Sequence, residues 1–126
     1  MDYSSLKKLN HKELGNWGEE IASNFLQDKG YQIQVKNYRC KQGEIDLIAL
    51  DGKDLVFIEV KTRRNSTFGL PQEAIDKRKM KRLYMVAKNY LYINRIANQN
   101  CRFDVVNILI KDKDYEIDVI KNAISY

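Results

Sequence analysis

Three carboxylates and a lysine stand in a stretch whose apolar residues otherwise suit buried β-strands. Residues 43–50 and 55–63 each have this composition, and Gly52 between them suits the positive φ of a hairpin turn. A loop of two or four residues there places Asp46 opposite Glu59, and Glu44 opposite Lys61. Paired residues share one face of a hairpin, with Cβ atoms about 4.5–5.5 Å apart. The hairpin is therefore expected to gather three acids and one lysine on a single face.

Facing carboxylates repel each other, so both need compensation to stay ionised. One explanation is an ion-pair network in which Lys61 bonds Glu44 and Asp46. The other is a divalent cation such as Mg²⁺, which prefers hard oxygen ligands, with Asp46 and Glu59 as carboxylate ligands and the Val60 carbonyl as a third oxygen. Lys61 would then orient a water or stabilise charge on a phosphate. The hairpin residues alone are consistent with both explanations.

A further acid comes from a helix predicted over residues 11–29. Its apolar residues recur at spacings of three and four: Leu14, Trp17, Ile21 and Phe25. Glu20 falls on the polar face, whereas Glu19 falls beside Ala22 and Leu26 at the edge of the apolar stripe. Glu19 is therefore the half-buried candidate for the acidic cluster, and a glutamate that merely solvates the helix boundary is the alternative.

Basic residues outnumber acids between positions 63 and 82. Such a cluster can bind phosphates, although a solvated helix face explains it as well. The predicted nucleic-acid contacts are Arg63, Arg64, Lys77 and Lys79. Lys79 and Gln72 lie on the apolar side of a second helix, so Lys79 either covers an anionic substrate or the carboxylate cluster, or extends to the helix edge.

The pattern along the chain predicts one α/β domain over residues 11–126, after a flexible basic lead-in of residues 1–10. The order is helix, three strands, helix, two strands, with a turn where polar residues follow the first strand. The predicted segments are helix 11–29, strand 31–35, loop 37–42, strands 43–50 and 55–63, loop 64–69, helix 71–92, and strands 103–110 and 115–119.

Length and charge set the class of protein. A chain of 126 residues can bury a core without disulfides or metal, and Cys40 and Cys101 are predicted to be free thiols. No apolar run approaches the ~20 residues of a membrane span, and the N-terminus lacks an apolar signal core, so a cytoplasmic location is expected. The net charge of +5 suits a polyanionic partner.

The residues of the hairpin resemble a known nuclease motif. Asp46, twelve intervening residues and then Glu59-Val60-Lys61 look like the PD-(D/E)xK motif, although Ile45 stands where the wider superfamily often has proline. More narrowly, nearly the whole domain is similar to the YraN family of small bacterial nuclease-like proteins. The matching pieces are residues 18–22, 37–40, 43–49, 57–63 and 102–106, with Phe68, Gly69, Pro71, Ala74 and Lys79. Residues 19–31 are also similar to archaeal Holliday-junction resolvases.

The resemblance implies a restriction-endonuclease-like αβββαβ core, a mixed sheet flanked by helices, with one extra C-terminal strand. It implies a metal-dependent phosphodiesterase with Glu19, Asp46 and Glu59 as acids and Lys61 as the catalytic lysine, and a supporting role for Glu44. The expected cofactor is Mg²⁺ or Mn²⁺ and the expected partner is nucleic acid, with DNA, including branched DNA, favoured. The competing functions are a non-catalytic nucleic-acid-binding module and a subunit of a larger DNA-processing complex; cutting two strands would require a homodimer.

Overall fold

The helices and strands follow the predicted order. In the computed structural model, residues 6, 8–64 and 77–123 are described. The elements are α1 (His11–Asp28), β1 (Gln32–Cys40), β2 (Gly43–Asp51), β3 (Asp54–Arg63), α2 (Lys77–Ile93), β4 (Cys101–Ile110) and β5 (Tyr115–Ile120). The five strands form one sheet in the order β1-β2-β3-β4-β5. Only β3 and β4 run parallel, and the other neighbours are antiparallel, so the predicted mixed α/β class is confirmed.

The two helices cover opposite faces of the sheet. Alternate residues of β3 show this: Leu55 and Phe57 pack into the core under α2, and Val56 and Ile58 into the core under α1. Both faces of β3 are covered, which explains its nearly continuous apolar sequence. The same alternation continues past the apolar run and assigns Glu59 to the α2 side of the sheet.

The first helix begins at a capping box. The Asn10 side chain accepts a hydrogen bond from the Glu13 backbone N–H at 2.8 Å, and the Glu13 carboxylate accepts one from the Asn10 N–H at 3.1 Å. Leu6, in the described part of the N-terminal lead-in, is buried against Leu14 and Ile110. The start of α1 is therefore fixed both by its cap and by this small apolar cluster.

The prediction of a loop or turn over residues 37–42 is wrong for residues 37–40 and correct for residues 41–42, which form the turn between β1 and β2. β1 continues to Cys40, with Tyr38 paired to Ile45 and Cys40 to Gly43 of β2. The register shifts between Ile33 and Val35, and Asn37 has a φ of 54°, a left-handed conformation that asparagine tolerates. These irregularities interrupt the polar–apolar alternation, which is why the sequence pattern of this strand resembled a loop.

A partly buried ion-pair network joins the turn end of the β2–β3 hairpin to β4. The Arg102 guanidinium contacts the carboxylates of Asp51 at 2.7 Å, Asp54 at 3.0 Å and Asp104 at 2.8 Å. Asp104 is fully buried and also accepts a 2.8 Å hydrogen bond from the Tyr31 hydroxyl. Burial and the Asp104 carboxylate raise the pKa of Tyr31. The hairpin turn is thereby joined to β4 and to the end of α1.

Within the described residues, none of the helices combines the length and the apolar character needed to span a bilayer. Cys40 and Cys101 are free thiols, as predicted.

Candidate active site

The β2–β3 ladder ends just before the predicted acidic cluster. Its pairs run from Asp51 with Asp54 to Leu47 with Ile58, in the register predicted from the turn. Beyond the last pair, the Val60 backbone N–H donates a 2.7 Å hydrogen bond to Oδ2 of Asp46. A side chain thus bridges β2 and β3 at a position where a backbone carbonyl would continue a regular ladder.

Along β2, the side chains alternate between the two faces of the sheet, and this alternation is interrupted at Asp46. Ile45 packs into the core under α2, whereas Leu47 packs into the core under α1. Residues two apart in a regular strand share a face, so the strand is irregular at Asp46. This irregularity turns the Asp46 carboxylate towards β3 and so brings it to the Val60 N–H.

Glu59 is the second carboxylate of the site, and two lysines contact it. Its side chain is only 12 % exposed, and its Oε1 lies 2.8 Å from Nζ of Lys79 and 3.4 Å from Nζ of Lys61. Of the two explanations for Lys79 given by the sequence, the structure therefore shows the contact with the carboxylate cluster. Glu59 and both lysines lie together on the α2 side of the sheet.

Glu19 joins this cluster from the other helix. The preceding residue, Gly18, is buried, and a Cβ atom added there would lie 2.0 Å from Oγ1 of Thr62 on β3. The glycine lets α1 approach β3 closely, and half-buried Glu19 then lies near enough to Asp46 for its carboxylate to raise the pKa of Asp46. Glu20 instead is exposed and pairs with Lys36 at 3.5 Å.

The carboxylates and lysines shift each other's protonation. Burial, followed by the charge of Glu59, raises the pKa of Asp46 to about 8, against the opposing effect of the Val60 N–H; the Glu19 carboxylate raises it further. Burial and the neighbouring Lys79 lower the pKa of Lys61. Burial also disfavours charge on Lys79, but its bonds to Glu59 and Lys61 outweigh this effect and raise its pKa. Lys79 is therefore the ammonium that neutralises Glu59, and Lys61 is the more readily deprotonated amine.

The donor set fits a hard divalent cation whose remaining ligands are water and substrate. In residues 6, 8–64 and 77–123, no three His, Cys, Asp or Glu side chains converge into a metal-binding group. Mg²⁺, however, typically takes one or two carboxylates, several waters and a phosphate oxygen. Asp46 and Glu59 supply two carboxylates. The Val60 carbonyl lies on the same edge of β3 as its N–H, which faces Asp46, and can supply a third oxygen.

Glu44 lies at the rim of this cluster and not in an ion pair with Lys61. Its carboxylate accepts a hydrogen bond from Nε of Arg39 on β1 at 2.9 Å, and its side chain is exposed. The predicted pairing of Glu44 with Lys61 lies beyond the observed ladder. Glu44 nonetheless lines a cleft of about 240 Å³ whose other lining residues are Gly43, Asp46, Glu59, Lys79, Arg82 and Leu83. We call this the acidic cleft.

The predicted phosphate-binding residues are placed in different surroundings. The Arg64 guanidinium donates to the carbonyls of Leu6 at 3.1 Å and Leu9 at 2.5 Å, and so holds the N-terminal segment. Lys77 is exposed at the first turn of α2, and Arg63 is half-buried at the end of β3. Gln72, the remaining predicted supporting residue, lies outside the described residues.

The sequence prediction missed two residues beside the site. Asn107 is the β4 partner of Lys61; it is 8 % exposed, and within the described chain its Oδ1 has no hydrogen-bond partner. The available signal was a polar amide in an otherwise apolar strand. Arg82 lines the acidic cleft, and its Cγ and Cδ would lie 3.3 Å from a Cβ added at Gly43. Nothing in the spacing of the α2 residues indicated that contact.

Fold and site together define a mixed α/β domain in which a carboxylate–lysine cluster lies where two central strands diverge. The model of "Uncharacterised protein family UPF0102" matches residues 18–108, and the chain belongs to this family. The resemblance to the YraN family is thereby confirmed.

Relatives that match this chain over nearly their full length carry the same family name. The chain is 43% identical over 115 residues to a UPF0102 protein of Clostridium novyi, covering 90% of this chain and 96% of the relative. It is 46% identical over 117 residues to one of Caldicellulosiruptor saccharolyticus, covering 91% and 99%. A protein of Moorella thermoacetica is 44% identical over 117 residues, covering 91% and 98%.

Proposed function

We propose that this protein is a metal-dependent endonuclease that hydrolyses phosphodiester bonds of nucleic acid, with DNA, including branched DNA, as the favoured substrate. The observation that carries the proposal is the position of Asp46. Its carboxylate accepts the Val60 N–H between two diverging strands, and its pKa is raised by burial and by Glu59. A half-buried carboxylate pair of this kind is costly for the fold unless a cation or substrate uses it.

The residues of the site divide the work of phosphodiester hydrolysis. Asp46 and Glu59 would hold Mg²⁺ or Mn²⁺, with the Val60 carbonyl as a further oxygen, and Glu19 adds negative charge to the cluster. A bound cation would supply charge stabilisation and lower the pKa of a bound water. Lys61, with its lowered pKa, would accept a proton from the attacking water or donate a hydrogen bond to the phosphate oxygens.

Lys79 has a separate task in this proposal. Its ammonium lies 2.8 Å from Glu59, so it holds that carboxylate in place and keeps positive charge beside the position of the scissile phosphate. Exposed Lys77 and half-buried Arg63 would contact phosphates on either side. These contacts position the strand and leave sequence preference unspecified.

The test is cleavage of defined substrates. Branched, single-stranded and duplex DNA, and single-stranded RNA, are incubated with the protein and Mg²⁺ or Mn²⁺, and products are separated on denaturing gels. We expect cleavage of at least one DNA substrate by wild type, and a loss of at least a hundredfold in Asp46→Ala. Asp28→Ala, which removes an exposed carboxylate of α1, is the matched control. Equal behaviour of wild type and Asp46→Ala on every substrate would refute the proposal.

One observation favours a non-catalytic nucleic-acid-binding module as the second candidate. Lys61 and Lys79 already contact Glu59, and two ammonium groups can neutralise a carboxylate without a cation. Titration with Mn²⁺, followed by calorimetry, separates the candidates. Binding of Mn²⁺ that is lost in Glu59→Ala supports the enzyme. DNA binding that depends on neither Mn²⁺ nor Glu59 supports the module.

A nuclease or a module acting on cellular DNA would work in the cytoplasm. It would act alone, as a homodimer or with a DNA-processing partner.

A further inference from the structure

A second cleft adjoins the acidic cleft, and we infer that it binds a single strand of nucleic acid next to the cleavage site. It has a volume of about 350 Å³ and is lined by Gln42, Arg78, Lys81, Arg82 and Met85. We call it the basic cleft. The inference rests on the proposed function for its biological purpose, but its ligand and its residues are argued from its own chemistry.

The charge of the basic cleft is strongly positive and uncompensated within the described residues. Arg78, Lys81 and Arg82 are exposed, and none of them forms an ion pair with a carboxylate of residues 6, 8–64 or 77–123. This distinguishes them from Lys79 on the same helix, whose charge is directed at Glu59. Three such cations in one concave surface suit a chain of phosphates.

The two clefts are continuous through Arg82. This residue lines both of them, and Cγ and Cδ of its aliphatic stem lie 3.3 Å from the position that a Cβ atom of residue 43 would take. Gly43 has a φ of 145°, and an added Cβ would also meet Val86 at 3.4 Å, so the glycine leaves room for the arginine stem. As the residue that lines both clefts, Arg82 lies between the carboxylates and the rest of the basic cleft. A strand whose phosphate reached Asp46 would therefore pass Arg82 next.

The remaining cleft residues continue in the same direction along α2. Arg78, Arg82 and Met85 are separated by about one helical turn each, so they form a row on the surface of the helix. Gln42, in the turn between β1 and β2, also lines the cleft; its amide oxygen accepts a hydrogen bond from Cys40, and its amide nitrogen can donate hydrogen bonds. The cleft therefore combines the cations with an amide donor.

The exposed side chain of Met85 favours a single strand over a duplex as the ligand of the basic cleft. Its side chain is 41 % exposed beside the cations, which leaves an apolar, polarisable surface in the cleft. Proteins that bind single strands combine a cationic groove with aromatic side chains on which unpaired bases stack. The polarisable thioether of Met85 is expected to offer an unpaired base a weaker contact of the same kind. A duplex presents phosphates to such a helix surface and keeps its bases stacked inside, so Met85 would have no role.

The experiment measures binding without cleavage. Anisotropy of a fluorescent single-stranded DNA oligonucleotide is followed in EDTA over a range of salt concentrations. For Arg78→Gln/Lys81→Gln we expect affinity to fall roughly tenfold at low salt, and the slope of log K against log salt to decrease by about 1.4, because each single-strand phosphate contact contributes about 0.7. Arg82→Met, which keeps the stem over Gly43, should decrease the slope by about 0.7. Lys12→Gln, an exposed lysine on α1 across the sheet, should change neither quantity.

Met85→Ser tests the nature of the ligand. We expect it to weaken single-stranded DNA several-fold and to leave duplex binding unchanged. Equal losses for Lys12→Gln and for the cleft variants would overturn the inference, since the attraction would then be diffuse. Tighter binding of duplex than of single strand, with no effect of Met85→Ser, would overturn the single-strand ligand. If the cleft variants behave as expected but no metal supports cleavage, only the proposed nuclease fails; if wild type cleaves and the variants bind normally, only the cleft fails.

Discussion

Oδ2 of Asp46 accepts the backbone N–H of Val60 at 2.7 Å, one residue beyond the last backbone pair on β2 and two residues beyond it on β3. A half-buried carboxylate thus takes the place of a peptide carbonyl in the sheet. Three features of this site can be tested separately. They are the protonation of Asp46, the close approach of α1 to β3, and the buried side-chain amide of Asn107 on β4.

We expect the stability of the metal-free protein to depend on the protonation of Asp46. An aspartate in the unfolded chain ionises near pH 4, whereas the folded protein retains this proton up to about pH 8. Between these values the folded state binds more protons than the unfolded state, so the Asp46 contribution to stability falls as pH rises from about 4 to about 8. In Asp46→Asn this loss is absent, and the free energy of unfolding of the variant relative to wild type should increase with pH over that window.

Urea unfolding at a series of pH values checks this expectation, with Asp28→Asn as the control on the exposed surface of α1. Adding Mg²⁺ at pH 8 should raise the stability of wild type and leave Asp46→Asn unchanged, because a ligand stabilises only the form that binds it. A stability difference between Asp46→Asn and wild type that is flat from pH 4 to 8 would contradict the raised pKa.

Of the two glycines of α1, Gly18, which lies against Thr62, is expected to tolerate substitution least. An added Cβ would lie 2.0 Å from Oγ1 of Thr62, so Gly18→Ala should destabilise the protein by about 1–3 kcal/mol through overpacking and should move Glu19 away from Asp46. Gly15→Ala has open space around the new methyl group and should stabilise the helix by about 0.5–1 kcal/mol. Thermal unfolding and activity of the two alanine variants give the comparison, and a stable, active Gly18→Ala would disprove the close approach.

The Arg102 network is expected to contribute stability without taking part in chemistry. Arg102→Met leaves the buried Asp104 carboxylate without its cation and should cost about 3–5 kcal/mol. Arg39→Met breaks the exposed pair with Glu44 and should cost less than about 1 kcal/mol. Chemical denaturation measures the loss of stability in each variant. Similar losses in the two variants would mean that burial does not determine how much each ion pair contributes to stability.

Asn107 is expected to lower the free energy of unfolding of the protein while supporting its activity. Its Oδ1 is buried without a partner in the described residues, an arrangement that costs about 1–3 kcal/mol, so Asn107→Leu should be more stable than wild type by a similar amount. Because Asn107 pairs with Lys61 across the parallel ladder, the same variant should cleave more slowly. Asn89, which accepts a 2.5 Å hydrogen bond from Tyr38, is the control, and Asn89→Leu should be destabilising. An Asn107→Leu protein that is less stable than wild type would argue against an orphaned acceptor.

The sequence predicted the element order and the hairpin register because these follow from local rules. Apolar periodicity identified α1 and the strands, and the turn at Gly52 determined the pairing as far as Leu47 with Ile58. The extension of β1 to Cys40 could not be predicted, since a left-handed Asn37 and a register shift remove the alternation by which a strand is recognised.

The site was predicted less completely than the fold. The contact of Lys79 with Glu59 depends on how α2 lies over β3, and the Arg39 partner of Glu44 depends on the unexpected length of β1. Asn107 comes from a strand more than forty positions along the chain, beside Lys61 only through parallel pairing. Such contacts are set by packing between distant segments, and no local pattern encodes them.

The divergence of β2 and β3 has a further consequence. Unpaired backbone amides and carbonyls normally occur at the outermost strands of a sheet, where they invite pairing with other chains and aggregation. Here the opening lies between two interior strands, flanked by β1 on one side and β4 on the other. Because β2 and β3 keep β1 and β4 as neighbours, the peptide groups at this opening are enclosed within the sheet and are not presented along an outer edge, where a foreign β-strand would pair.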